Sequence, residues 1–183
     1  MKQLLLGMPY WRYELKNFKK RKNLIKKFIK KYPLTKSNLQ NYSSNTDLFL
    51  NNPDKQIEFT QEVIKLLSEE LKHFAKDIKK NMVVTRSWAV SYKKGEDQIM
   101  HHHGNKAFTA IMYIDFDHKK HSPVIFKKPW PNIFTGKIEF IPPSPHLKEG
   151  TLLIFPACLE HFAPVNLSEK ERTVISFDID FNE

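Results

Sequence analysis

The chain has 183 residues, 40% apolar and 13% aromatic, with a net charge of +10, which is ample for one domain with a sizeable core and excludes wholesale disorder. No apolar run approaches the roughly 20 residues a membrane helix needs, and the opening MKQLLLGMPYW has no small-residue cleavage pattern of a signal peptide. Cys158 is the only cysteine, so an intramolecular disulfide and Cys-rich zinc sites are excluded and a cytoplasmic location is expected. None of the five glycines forms a GxGxxG or P-loop pattern, so those nucleotide chemistries are not expected.

Charge is unevenly placed. Residues 1–46 hold twelve Lys or Arg against one acid, Glu14, while the rest of the chain holds eighteen against nineteen. Tyr10 to Tyr32 reads as a basic amphipathic helix, with Leu15, Phe18, Ile25, Phe28, Ile29 and Tyr32 at helical spacing and Pro33 as its stop. Segment 35–53, rich in Ser, Asn and Thr, reads as a connector. A second helix is expected from Asp54 to Lys80, its stripe formed by Ile57, Ile64, Leu67, Leu71, Phe74 and Ile78 and broadened by Phe59, Val63 and Leu66.

After Lys80 the texture becomes that of strands: 82–92, 107–116, 122–126, 137–141, 150–156 and 172–181 are short, β-branched and aromatic, with turn residues between them. In the last, Thr173, Ile175, Phe177, Ile179 and Phe181 share one face and Arg172, Val174, Ser176, Asp178 and Asp180 the other. The order predicts an α+β fold: a single domain over 1–183, in which a basic helical part (1–80) packs on a sandwich or barrel core (81–183).

Three histidines stand together at 101–103. In extended chain His101 and His103 point to one side and His102 away, whereas on a helix the pair would lie about 200° apart. Imidazole suits first-row metals, and two from one strand leave room for a third from elsewhere. His161 follows a strand end, and Arg172 opens the last strand. His73, His118, His121 and His146 read as solvated, and Cys158 as a buried apolar residue. Trp11, Trp88 and Trp130 read as core or lid packing, and Asp178 and Asp180 as a solvated sheet face. Loops 117–136 and 142–148 are the expected pocket rim.

Taken in order, SWAVSYKKGEDQIMHHHGN (87–105), FTAIMYI (108–114) and EGTLLIFPACLEH…N…R…ISFD (149–178) resemble the 2-oxoglutarate/Fe(II) oxygenase superfamily, in particular its small branch common in phages and marine bacteria. The resemblance covers about half the chain. It implies a double-stranded β-helix, or jelly roll, with Fe(II) held by His101, His103 and His161. It also implies that Arg172 forks onto the far carboxylate of 2-oxoglutarate, with Tyr113 and Thr109 as further cosubstrate contacts and Asn105 and Ser176 as weaker candidates. O₂ would be the oxidant, with succinate and CO₂ released as a substrate C–H is hydroxylated.

Two departures stand out. His103 occupies the position where most of the superfamily has a carboxylate; the branch commonly has HxH there, and Asp97 and Asp115 are other carboxylates in the chain. Val174 stands where many relatives place a small hydroxyl residue. Two alternatives follow: a cupin-like three-His dioxygenase that ignores 2-oxoglutarate, and a non-catalytic module working through its basic helix. That helix, over 10–32, is either a solvated cover for the barrel or a grip for nucleic acid or an acidic partner. The substrate, peptide or small molecule, carries no motif.

Overall fold

A computed structural model of the protein describes residues 2–5, 8–36, 40–143 and 146–182. In chain order they form β1 (Lys2–Leu5), β2 (Met8–Glu14), α1 (Phe18–Lys30), β3 (Thr35–Lys36), β4 (Ser43–Ser44), α2 (Thr46–Asn51), α3 (Pro53–Leu66) and α4 (Ser68–Ile78). Then come β5 (Met82–Tyr92), β6 (Gln98–His101), β7 (Phe108–Asp115), β8 (Ile125–Lys127), β9 (Phe140–Ile141), β10 (Thr151–Pro156), β11 (His161–Ala163) and β12 (Arg172–Phe181). The strands build two antiparallel sheets, one in the order β1-β2-β10-β7-β12-β5-β4-β3 and one in the order β6-β11-β8-β9.

The large sheet is the middle layer. Period-two alternation sends Ile175, Phe177 and Ile179 of β12, Met112 and Ile114 of β7, and Leu152 and Ile154 of β10 to one face, where Phe59, Val63, Leu67 and Phe74 of the helical segment cover them. The opposite residues, Val174, Tyr113, Leu153 and Phe155, face the small sheet and its Phe126. Each fully buried side chain of this size contributes about 1.5–3 kcal/mol. This is the α+β double-stranded β-helix that the resemblance implies, with helices packed against its outer face.

The first element departs from expectation: residues 8–14 are strand, and the helix begins only at Phe18. The run MPYWRYE is rich in β-prone aromatics. Tyr13 and Trp11 pair with Leu152 and Ile154 of β10, and Tyr10 and Trp11 are buried in different clusters, one on each face of the sheet. Asn17 turns the chain with a φ of 54°. Phe18 then seats on Gly150, whose φ is +82° and where a Cβ would come within 2.7 Å of the Phe18 ring. Only glycine fits both conditions.

The expected connector is also partly ordered. β4 pairs with β5, the Asn45 side chain accepts the Ala89 N–H at 2.9 Å, and α2 follows directly. The expected second helix is two helices, broken at Leu67 (φ −106°, ψ 16°). Phe59, Val63, Leu67, Leu71 and Phe74 are buried, while Ile57 and Ile64 lie on the outward flank, 54% and 37% exposed. Strands β6 and β11, too short and too His-rich to stand out in the sequence, carry His101 and His161.

Other expectations are corrected. Cys158 is exposed. His121 is buried: its Nδ1 accepts the Asp117 N–H at 3.1 Å, which leaves Nε2–H to donate to the Lys170 carbonyl at 3.0 Å. Trp130 is largely exposed, whereas Trp11 packs in the core as expected. Among the described residues, no helix is long and apolar enough to cross a membrane.

Candidate active site

Antiparallel pairing of β6 with β11 sets His101 directly opposite His161. The chain leaves β6, and the His103 N–H donates to the Ala157 carbonyl at 2.9 Å, just beyond β10. That bond brings the third ring in. Ring centroids are 4.4 Å apart for His101–His161 and 5.3 Å for each of the other two pairs. One nitrogen from each residue lies within 4.8 Å of the others. His102 faces away and is exposed, its Nδ1 accepting the Gly104 N–H.

The outward nitrogens assign the tautomers. Nδ1 of His101 is 2.8 Å from the Ile99 carbonyl, Nδ1 of His161 is 2.8 Å from the Leu159 carbonyl, and Nδ1 of His103 is 2.6 Å from a carboxylate oxygen of Asp178. A carbonyl or carboxylate oxygen only accepts, so each Nδ1 carries a proton and Nε2 is the ring nitrogen left to serve a metal. Burial, then the neighbouring His101, pushes the His161 imidazolium down to about 3; burial likewise lowers His101. At pH 7 these two rings are neutral bases, the form in which imidazole serves a divalent first-row metal. The residues present fit such a metal.

The histidines line one end of a small cavity of about 30 Å³ between the sheets. Arg172 lines it too and is 2% exposed. It donates to the Ser122 carbonyl at 2.6 Å and the Pro164 carbonyl at 3.0 Å, and lies 4.3 Å over the Tyr92 ring. Burial lowers its pKa, and the surrounding tyrosines oppose that. Among the described residues no carboxylate pairs with it. Asp97 acts on it only through space, and a buried cation without a direct ion pair is costly unless an anion arrives. Tyr113 accepts the Val124 N–H at 3.1 Å, so its own hydroxyl hydrogen is available, and burial holds its pKa up at about 12.

Register places the remaining residues. Tyr113 pairs with Val174 near Arg172, while Thr109 pairs with Asp178 at the histidine end. The Thr109 hydroxyl donates to the Phe177 carbonyl at 3.3 Å and lies 3.3 Å from His103 Nδ1. Val174 and Ser176 line the cavity, and Asn105 is exposed away from it. Asp115 is occupied by Lys22 and Lys26 at 2.9 Å each, and Asp97 by Asn41; neither approaches the histidines. The carboxylate that does is Asp178. It is fully buried rather than solvated, and its alternation with Arg172 on one strand face is the signal that points to it. Burial pushes the Asp178 carboxyl up, but His103 and Arg86 outweigh this and hold it low.

A second, open cleft meets His101 and His103 from outside, lined by Tyr42, Asp47, Phe49, Gln56, Arg86 and Trp88 among others. It is built by the segment expected to be a connector. Of the expected rim, only Val124 of 117–136 lines the inner cavity and nothing from 142–148 lines either space, with 144–145 outside the described residues. Trp88 links the two spaces and stacks on His103 at 5.7 Å.

Solved structures share this architecture at low identity. An oxidoreductase of the 2OG-Fe(II) oxygenase family from Burkholderia pseudomallei superposes with a TM-score of 0.65 at 10% identity, covering 93% of this chain and 84% of that one. HygX from Streptomyces hygroscopicus, with nickel, 2-oxoglutarate and hygromycin B bound, gives 0.66 at 10% identity over 94% and 83%. A viral collagen prolyl hydroxylase from Paramecium Bursaria Chlorella virus-1, in complex with 2-oxoglutarate, gives 0.59 at 17% identity over 93% and 94%. No curated protein matches the sequence. These likenesses establish the fold. The sequence profile of the family described as "Putative 2OG-Fe(II) oxygenase" matches residues 86–178, a span running from the strand before the histidine triplet to Asp178. With that match over half its length, the chain belongs to the 2-oxoglutarate- and Fe(II)-dependent oxygenases.

Proposed function

We propose that His101, His103 and His161 hold the Fe(II) of this oxygenase through Nε2, and that Arg172 anchors 2-oxoglutarate in the inner cavity. The observation that carries the reading is the pairing, in one buried cavity, of three converging imidazoles with a guanidinium that lacks a carboxylate partner among the described residues. Bound iron supplies the oxidative chemistry, coupling decarboxylation of 2-oxoglutarate by O₂ to oxidation of a substrate C–H.

The chain's own residues do the rest. The Ile99 and Leu159 carbonyls and the Asp178 carboxylate hold the three Nδ1 atoms, which leaves Nε2 of each ring for the metal, with the Gln98 amide nitrogen 3.3 Å from that of His101. Arg172 offers a planar fork to a carboxylate, and the Ser122 and Pro164 carbonyls fix its orientation before the anion arrives. Tyr113 donates a hydrogen bond at the same end, while Thr109 steadies the His103 end. Val174 presents no hydroxyl, so this chain makes one cosubstrate contact fewer there. Phe126, Phe155 and Trp88 exclude water around the metal position. A buried arginine with no carboxylate in direct contact among the described residues argues against a three-His dioxygenase that ignores 2-oxoglutarate. With Fe(II), O₂ and 2-oxoglutarate, wild type should release succinate and His161→Ala none; equal release from both would overturn the assignment.

The substrate, a peptide or small molecule, enters by the open cleft, whose wall at Tyr42–Gln56 sets specificity. The chain is one folding unit, since β2 from the basic part pairs with β10 of the core. A reducing, cytoplasmic setting suits its exposed lone thiol. α1 chiefly covers the sheet: it buries Phe18, Ile25 and Ile29, and Lys22 and Lys26 pair with Asp115. Its outward Lys19, Lys20, Lys27 and Lys30 have no ion pair among the described residues and form the surface for a nucleic acid. Deleting residues 1–46 would remove β2, so reversing these four charges is the cleaner test. Gel-shift binding to RNA or DNA should be lost, and retained binding would contradict the role.

A further inference from the structure

The three histidines are alike in geometry but not in what stands behind them. His101 and His161 donate to neutral backbone carbonyls, whereas His103 donates to the carboxylate of Asp178 at 2.6 Å. His103 is also the ligand at the position where the superfamily usually places a carboxylate. Asp178 is 0% exposed, and a buried carboxylate is retained only where partners compensate it. Its second oxygen accepts from Arg86 Nε at 2.7 Å, and the Arg86 side chain is 55% exposed. The backbone here is adjusted as well. Pairing between β12 and β5 shifts register between Asp178 and Ile179, so that Asp178 faces Arg86 and Ile179 faces Val84, leaving Thr85 as the extra residue. Bulges of this kind re-aim a side chain next to a site.

We propose that Asp178 is a positioning residue for the metal centre. Its carboxylate fixes His103 through Nδ1 and supplies, one hydrogen bond removed from the metal, the negative charge that a direct carboxylate ligand supplies in relatives. Trp88 closes the other side of the ring, stacked at an interplanar angle of 19°. His103 is thus held in its plane by one residue and across its face by another. The carboxylate polarises the N–H and makes Nε2 a stronger donor, as in carboxylate–histidine–metal arrangements generally. The inference rests on the three-His assignment above.

The test is Co(II) titration of metal-free wild type, Asp178→Asn and His161→Ala, with the Co(II) d–d spectrum and thermal unfolding recorded for each. Asp178→Asn should weaken Co(II) by about 10–100-fold and shift the d–d bands, with a metal-free unfolding temperature close to wild type. Wild-type affinity and spectrum in that variant would overturn the role of Asp178 alone. A lowered unfolding temperature with an unchanged spectrum would do the same, by showing a purely structural role. If His161→Ala binds Co(II) like wild type, the three-His assignment itself fails, and the Asp178 inference with it. A measurement on wild type covers the case in which Asp178→Asn does not fold: imidazole ¹⁵N NMR of the Zn(II)-loaded protein should show His103 protonated at Nδ1 and metal-bound at Nε2. Metal on Nδ1 would refute the proposal.

Discussion

The two faces of the large sheet are made from the same strands and do opposite work. Toward the helices, β12 presents Ile175, Phe177 and Ile179, all fully buried among apolar neighbours. Toward the small sheet, the same strand presents Arg172, Val174, Ser176 and Asp178, and three of these four are polar or charged although buried. A strand places alternate residues on alternate faces at no conformational cost. One strand can therefore anchor the fold with its odd positions and carry chemistry with its even ones. The helix-covered face provides the stability that the polar face gives up.

Substitutions on the two faces should therefore separate stability from binding. The largest effect is expected for His161→Ala, which removes a buried donor and should abolish measurable Mn(II) binding and 2-oxoglutarate turnover while leaving the fold intact. Detectable turnover would break the comparison at its centre. Arg172→Ala comes next. It should cost about 3–5 kcal/mol in 2-oxoglutarate binding, the value for breaking a buried charge pair, and leave thermal stability equal or higher, because a buried unpaired cation has gone. Ile175→Ala is the mirror experiment, expected to lower unfolding free energy by about 2–5 kcal/mol with cosubstrate affinity retained in the folded protein. Tyr113→Phe removes one hydroxyl and should weaken 2-oxoglutarate by about 0.5–1.5 kcal/mol.

The smallest effect concerns the sheet's end, where α1 is tied down. Burial raises the Asp115 carboxyl, but hydrogen bonds and charge from Lys22 and Lys26 outweigh it and hold the group below its ordinary 3.8. A carboxyl depressed in the folded state stabilises the protein above its unfolded pKa, and that contribution is lost as pH falls through the folded value. Wild type should thus lose stability below about pH 4 more steeply than Asp115→Asn. Parallel pH profiles would show that the ion pairs contribute nothing.

Legibility in the sequence followed the same division. The alternation of 172–181 is strong enough to assign both faces of β12, whereas Arg172 stands out only within the ordered set of motifs that resembles the oxygenases. Asp178 lies on that polar face, yet sequence alone reads it as solvated, because nothing local reveals that His103 and Arg86 close over it. The histidine strands β6 and β11 are missed because four and three residues are too short for a periodic signal; their pairing is a tertiary fact. Residues 10–14 read as helix because Trp11 lies at helical spacing from Leu15 and Phe18, and only the free edge of β10 turns them into strand. The break at Leu67 and the cleft wall at 42–56 likewise depend on what packs against them.

Calorimetric titration of 2-oxoglutarate into Mn(II)-loaded protein, with metal-free protein and Mn(II)-loaded Arg172→Ala alongside, tests the account most directly. Tight binding is expected only with Mn(II) and Arg172 both in place, and Mn(II) affinity itself should be unchanged in the variant. Equal 2-oxoglutarate binding in all three samples would contradict it.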